Sequence, residues 1–126
     1  MKRILLACCL LTATCIWTPK VVAQTATTVS VTDFNAKIAL LDSYIGAGDM
    51  TNAQTTWNQV NTMMMSELSV TKMSIANATT DATRTTANNK MQNQVAIYRQ
   101  AWTLKNDLAG NRAALHTKLT DFAGTF

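Results

Sequence analysis

Most features that would mark a catalyst, a disulfide-stapled module or an all-β fold are scarce in this 126-residue chain. There is one proline, Pro19, and there are four glycines, too few turn formers for a fold of many short strands. The three cysteines, Cys8, Cys9 and Cys15, all lie near the N-terminus. There is one histidine, His116, and one glutamate, Glu67. No GxSxG or HExxH pattern occurs, so neither the hydrolase nucleophile elbow nor the helical zinc-protease site is written into the chain. Asp33, Asp42, Asp49, Asp81, Asp107 and Asp121 are scattered, several where helices should begin. They read as caps rather than as a general acid/base pair. The expectation is a protein that is not an enzyme.

The N-terminus is the most informative stretch. Lys2 and Arg3 open it, Ile4 to Trp17 is an apolar run with small polar interruptions, and Thr18 to Ala23 is more polar. Val21 and Ala23 stand where small residues precede a signal-peptidase cut, so residues 1–23 read as a secretory signal peptide. The run is shorter than the roughly 20 residues needed to span a bilayer. No membrane span is therefore expected after cleavage. The alternative is a lipoprotein anchored through Cys15, although Leu11-Thr12-Ala13-Thr14 matches a lipobox poorly. The expected location is periplasmic or secreted.

Cleavage after Ala23 would remove every cysteine, and with them any disulfide or thiolate metal site. It would also remove Lys2, Arg3 and Lys20 from the eleven Lys and Arg, leaving eight against seven acids. That balance gives no basic patch, so no nucleic-acid partner is expected.

Residues 24–31 are Thr-rich and short, and read as a flexible N-terminal lead. Residues 32–126 read as one all-α helical domain. Phe34, Ile38, Leu41 and Ile45 fall on one face of a first helix over 32–45, ended by Gly46-Ala47-Gly48. A second helix over 50–77 carries Met50, Ala53, Trp57, Val60, Met64, Leu68, Thr71 and Ile75. A third over 82–109 carries Ala87, Met91, Val95, Tyr98 and Trp102, with Thr80 or Asp81 as its cap. Gly110-Asn111 predicts a break, and Leu115, Leu119 and Phe122 line a last helix over 112–123. Thr and Asn cover the exposed positions, and both are weak helix formers, so packing rather than propensity must hold these helices.

Reversing the chain at each turn predicts an up-down-up-down bundle. Its two long central helices would form a hairpin projecting beyond the short ones. The predicted core is Phe34, Ile38, Trp57, Val60, Tyr98, Trp102, Leu119 and Phe122, layered as Ile38/Trp57/Trp102/Leu119 and Phe34/Val60/Tyr98/Phe122. The alternative is a three-helix bundle with one long C-terminal helix, whose overhanging stripe would pair in a homodimer.

Two sets of residues are candidates for function. The tip of the hairpin, with Asn77, Thr79, Thr80, Asp81 and Arg84, is neutral and polar and suits an envelope or extracellular protein partner. Asn77-Ala78-Thr79 is also formally a glycosylation sequon. His116 and Met64 are candidates for holding a small ligand, haem or metal inside the bundle. Met63-Met64-Met65 would suit Cu(I) chemically, but consecutive helical residues point in different directions, and core filling explains them better. No bound cofactor is therefore expected. The segment Asn111-Arg112-Ala113-Ala114-Leu115-His116-Thr117-Lys118 is similar to the last helix of the cytochrome b562 family. Those are exported four-helix bundles with Met and His axial haem ligands. This chain departs from them in having no methionine in its first helix, and Met50 opens the second. The leading expectation is an exported structural or protein-interaction module, and the alternative is a carrier of a small ligand, haem or metal.

Overall fold

The computed structural model describes residues 28–126. The signal-peptide segment 1–23 and residues 24–27 of the 24–31 lead lie outside the described residues. The chain forms α1 (Val31–Gly46), α2 (Met50–Ala76), α3 (Asp81–Leu104) and α4 (Arg112–Ala123), with a 3-10 turn at Lys105–Asp107 and no strand among the described residues. The fold is an all-α bundle. α1 packs on α2, α2 on α3, α3 on α4, and α4 returns to α1.

Short polar side chains start the helices. The Ser30 hydroxyl accepts from the Thr32 N–H at 3.2 Å, and Asp49 accepts from the Asn52 N–H at 3.1 Å. Thr80 and Thr83 form a reciprocal capping box at α3. α1 closes in a Schellman motif: Gly48 N–H donates to the Ile45 carbonyl and Asp49 N–H to that of Tyr44. Gly48 takes a φ of +74°, a conformation a Cβ would strain. The many surface threonines satisfy their hydroxyls within the helix: Thr55, Thr62, Thr86, Thr103 and Thr117 each donate to the carbonyl four residues back.

The core face of each helix follows its large apolar residues, except in α3. Phe34, Ile38, Trp57, Val60, Leu119 and Phe122 are buried. Phe34 packs on Phe122 and on Phe126 at ring-centroid distances of 5.8 and 5.2 Å. Tyr98, by contrast, is half-buried, and Trp102 is 43% exposed, so neither is a core residue of the predicted kind. The buried positions of α3 are Gln94 and Ala101, followed by Leu108 beyond its end. The helix is turned relative to its bulkiest stripe, so that small Ala101 is buried and Trp102 is not. Trp102 then overlaps Trp57 only from outside, with centroids 6.5 Å apart.

α3 also ends earlier than the glycine predicts. The Asn111 side-chain amide donates to the Leu104 carbonyl at 3.0 Å, and the Asp107 carboxylate accepts from the Gly110 N–H at 2.9 Å. These bonds complete the reversal through a 3-10 turn and bring Leu108 into the core. The one-long-helix alternative is thereby excluded: α4 is a separate helix packed on α1 and α3.

Contacts fix the directions of the pairs. Trp57 meets Trp102, Asn61 meets Tyr98 and Glu67 meets Lys90, so α2 and α3 lie side by side and antiparallel. Asp42 meets Arg112 while Phe34 meets Phe122, so α1 and α4 are antiparallel too. α2 has 27 residues and α3 has 24, against 16 in α1 and 12 in α4. Burial falls away along the long pair: beyond Thr71 on α2 and before Gln94 on α3, no residue is fully buried.

Candidate functional site

The hairpin made by α2 and α3 has a hydrogen-bonded tip and a polar base. At the tip, Asn77, Thr79, Thr80, Asp81 and Arg84 are all exposed. Arg84 reaches back across the turn. Its guanidinium donates to the Ala78 carbonyl at 3.3 Å and lies 3.5 Å from the Asp81 carboxylate. The Thr80–Thr83 capping box holds the other side of the same turn. The residues 77–84 are therefore tied to α3 by side chains rather than by burial.

At the base sits a cluster that no sequence motif marks. Glu67 is only 5% exposed, facing the core where the apolar stripe predicts Leu68, which is half-buried instead. Its carboxylate accepts from Lys90 Nζ at 2.9 Å and from Gln94 Nε2 at 3.5 Å. Gln94, fully buried, also donates to Thr125 Oγ1 at 3.1 Å, tying the C-terminal end of the chain to the hairpin. Thr71 Oγ1 and Gln94 Oε1 are buried without a hydrogen-bond partner. One signal could have found the cluster: the register that pairs Trp57 with Trp102 carries the sole glutamate to the level of Lys90 and Gln94.

The residues considered for ligand holding do not come together. His116 is exposed and lines a cleft between α1 and α4 with Asp42, Arg112 and Leu115. That cleft holds about 10 Å³, room for at most one water; on its outer side His116 also borders an open, shallow depression of about 650 Å³ with Gly110, Ala113 and Thr117, which Met64 does not reach. Met64 is fully buried on α2 and does not line it, while Met63 is half-buried and Met65 exposed, so the three methionines diverge. Among the described residues no group of three or more His, Cys, Asp and Glu could hold a metal ion.

Beside His116 the chemistry is an ion pair. Arg112 donates through Nε and Nη2 to the two Asp42 oxygens, both at 2.7 Å, a bidentate fork. A Cβ at Gly46 would lie 2.6 Å from the same guanidinium, so a side chain there would make Arg112 shift from its present position. The hydrogen bonds from Arg112 hold the Asp42 carboxyl below its ordinary 3.8, partial burial opposes this, and the Arg112 charge and His116 lower it further. Its stabilising effect is thus present above pH 3.8 and is lost as pH falls through the lower folded-state value. Asp42→Asn should lower the melting temperature at pH 6, and the gap from wild type should close as pH drops toward 2. A gap of constant size would show that the carboxylate charge plays no part.

Comparison with known proteins finds no matching family model, no similar curated protein and no similar solved structure. Among the described residues no helix is long and apolar enough to cross a membrane.

Proposed function

We propose that this chain is an exported, non-catalytic helical module whose α2–α3 hairpin is the contact surface for an envelope or extracellular protein. The observation that carries the reading is the mismatch of helix lengths. α2 outruns α1 by eleven residues, about 16 Å at 1.5 Å per residue. In this reading the helices alternate in direction around the bundle and the distal hairpin projects from it. The distal half of the hairpin buries little of itself, so its surface is open to a partner. Its tip offers hydroxyls and amides rather than charge, which suits a hydrogen-bonding partner. Export is supported by the basic start, apolar run and small-residue site of residues 1–23. The non-catalytic reading is supported by His116, which is exposed beside an Asp42 already committed to Arg112.

The test places a photo-crosslinking residue at Thr79 or, separately, at Thr117 on α4, in the cells that make the protein. Thr79 should give a discrete adduct with one envelope or extracellular protein. Replacing residues 74–87 by a short turn should abolish co-isolation of the same protein with the chain while the helical circular dichroism persists. Equal adducts from Thr117, or capture unaffected by the shortening, would refute the assignment. The mass of the isolated chain should correspond to a start at Gln24, and an intact Met1 start in the cytoplasm would refute export.

A further inference from the structure

The outer face of the α2–α3 pair, away from the tip, carries an apolar strip with a basic rim. On α2, Asn61, Met65, Leu68 and Lys72 follow one another at helical spacing. On α3, Val95, Tyr98 and Trp102 do the same, with Arg99 beside them. The Tyr98 hydroxyl donates to Asn61 Oδ1 at 3.0 Å, which sets the two rows side by side. The strip leaves large apolar groups open: Met65 is 49% exposed and Trp102 43%. Tyr98 leans on Trp102 with centroids 6.0 Å apart, and Lys105 Nζ lies 4.1 Å from the Trp102 ring centroid.

The charges on this pair are one-sided. Its two acids are both engaged, Glu67 by Lys90 and Asp81 by Arg84. Lys72, Arg99 and the adjoining Lys105 have no carboxylate within ion-pair distance among the described residues. The face therefore has an aromatic and thioether centre and three cations without an ion-pair partner, with Asp107, held by the Gly110 N–H, the one nearby acid outside an ion pair among the described residues.

We propose that this face docks peripherally on an anionic lipid surface. Trp and Tyr favour the headgroup level of a bilayer, where ring and polar edge are both satisfied. Lys and Arg stems lie along apolar surface while their charges reach lipid phosphates. Two antiparallel helices about 40 and 36 Å long present a low-relief face that a planar surface can cover. A soluble polyanion would use the cations but leave Trp102 and Met65 in water. A second copy of the chain, apposed through the same face, would bring like charges together. The proposal does not depend on the role of the hairpin tip.

The chain as its own cells produce it is mixed with phosphatidylglycerol or phosphatidylcholine vesicles and co-sedimented. It should bind the anionic vesicles and not the zwitterionic ones, and more weakly as salt rises. Arg99→Gln with Lys105→Gln should weaken binding about 25-fold, from about fivefold per cation near an anionic surface. Brominated phosphatidylglycerol should quench tryptophan emission, and Trp102→Phe should remove the quenched component, since Trp57 is buried. Equal binding to both vesicles, or binding untouched by the double substitution, would overturn the proposal; the second result would assign attachment to residues elsewhere, 1–27 included. So would capture of soluble polyphosphate with equal affinity and no change at Trp102.

Discussion

Trp57→Ala should cost the fold about 3–5 kcal/mol, the range for deleting a buried aromatic side chain. Against a total of about 5–15 kcal/mol for a domain of this kind, the variant should sit near the edge of unfolding. Trp57 is 1% exposed, and its ring is enclosed by residues of the bundle core. Trp102 lies against the ring with centroids 6.5 Å apart and is part of the wall that would have to collapse to fill the void. The control is Trp102→Ala, which should cost about 1 kcal/mol or less, because 43% of that residue is already in water. Urea unfolding followed by circular dichroism at 222 nm measures both. Similar losses from the two substitutions would mean that Trp102 is a core residue after all and that the face it opens is not available for docking.

The two tryptophans also show where sequence reasoning reaches its limit. The apolar stripes of α1, α2 and α4 stand out because Phe, Ile, Leu, Trp and Met recur there every three or four residues, and most of those residues are buried, although on α2 Met50 is exposed and Leu68 and Ile75 are half-buried. Three of the four helix starts were marked by polar residues, Ser30, Asp49 and Thr80, that satisfy free N–H groups. In α3 the same logic follows bulk along Val95, Tyr98 and Trp102 and so selects the outer row. The inner row is Gln94 and Ala101, one polar and one small, and a hydrophobic count gives neither weight. The rotation of α3 is a tertiary matter of packing against the other helices, with no local signal in its own stripe. The end of α3 was equally hidden, since it depends on the Asn111 amide reaching Leu104 seven residues back. The tip residues were legible because a Thr- and Asn-rich turn between two long apolar stripes has to be solvent-facing. The base of the hairpin was not, because burying the only glutamate contradicts its residue type.

That buried glutamate leads to the second large effect. Lys90→Met should destabilise the fold by about 2–3 kcal/mol, leaving Glu67 at 5% exposure with only a 3.5 Å contact to Gln94. The figure lies below the full cost of breaking a buried pair because the Lys90 side chain is 35% exposed and water reaches that side of the carboxylate. Converting the layer together, with Glu67→Met, Lys90→Met and Gln94→Leu, should return stability to that of wild type or above, since no charge is then left unpaired. Thr71→Val points the same way: it deletes a buried hydroxyl that has no partner, and it should be neutral or stabilising. If the layer adds little net stability, its remaining effect is on register. A one-residue slip of α3 along α2 would part Lys90 and Gln94 from Glu67, whereas an apolar layer would tolerate it. The triple variant should therefore keep its melting temperature but lose uniqueness, seen as doubled or broadened amide resonances for the hairpin residues 77–89. A triple variant with a single sharp set of resonances would leave the polar layer without a specifying role. Lys90→Met costing less than about 0.5 kcal/mol would reduce the pair to an ordinary surface ion pair.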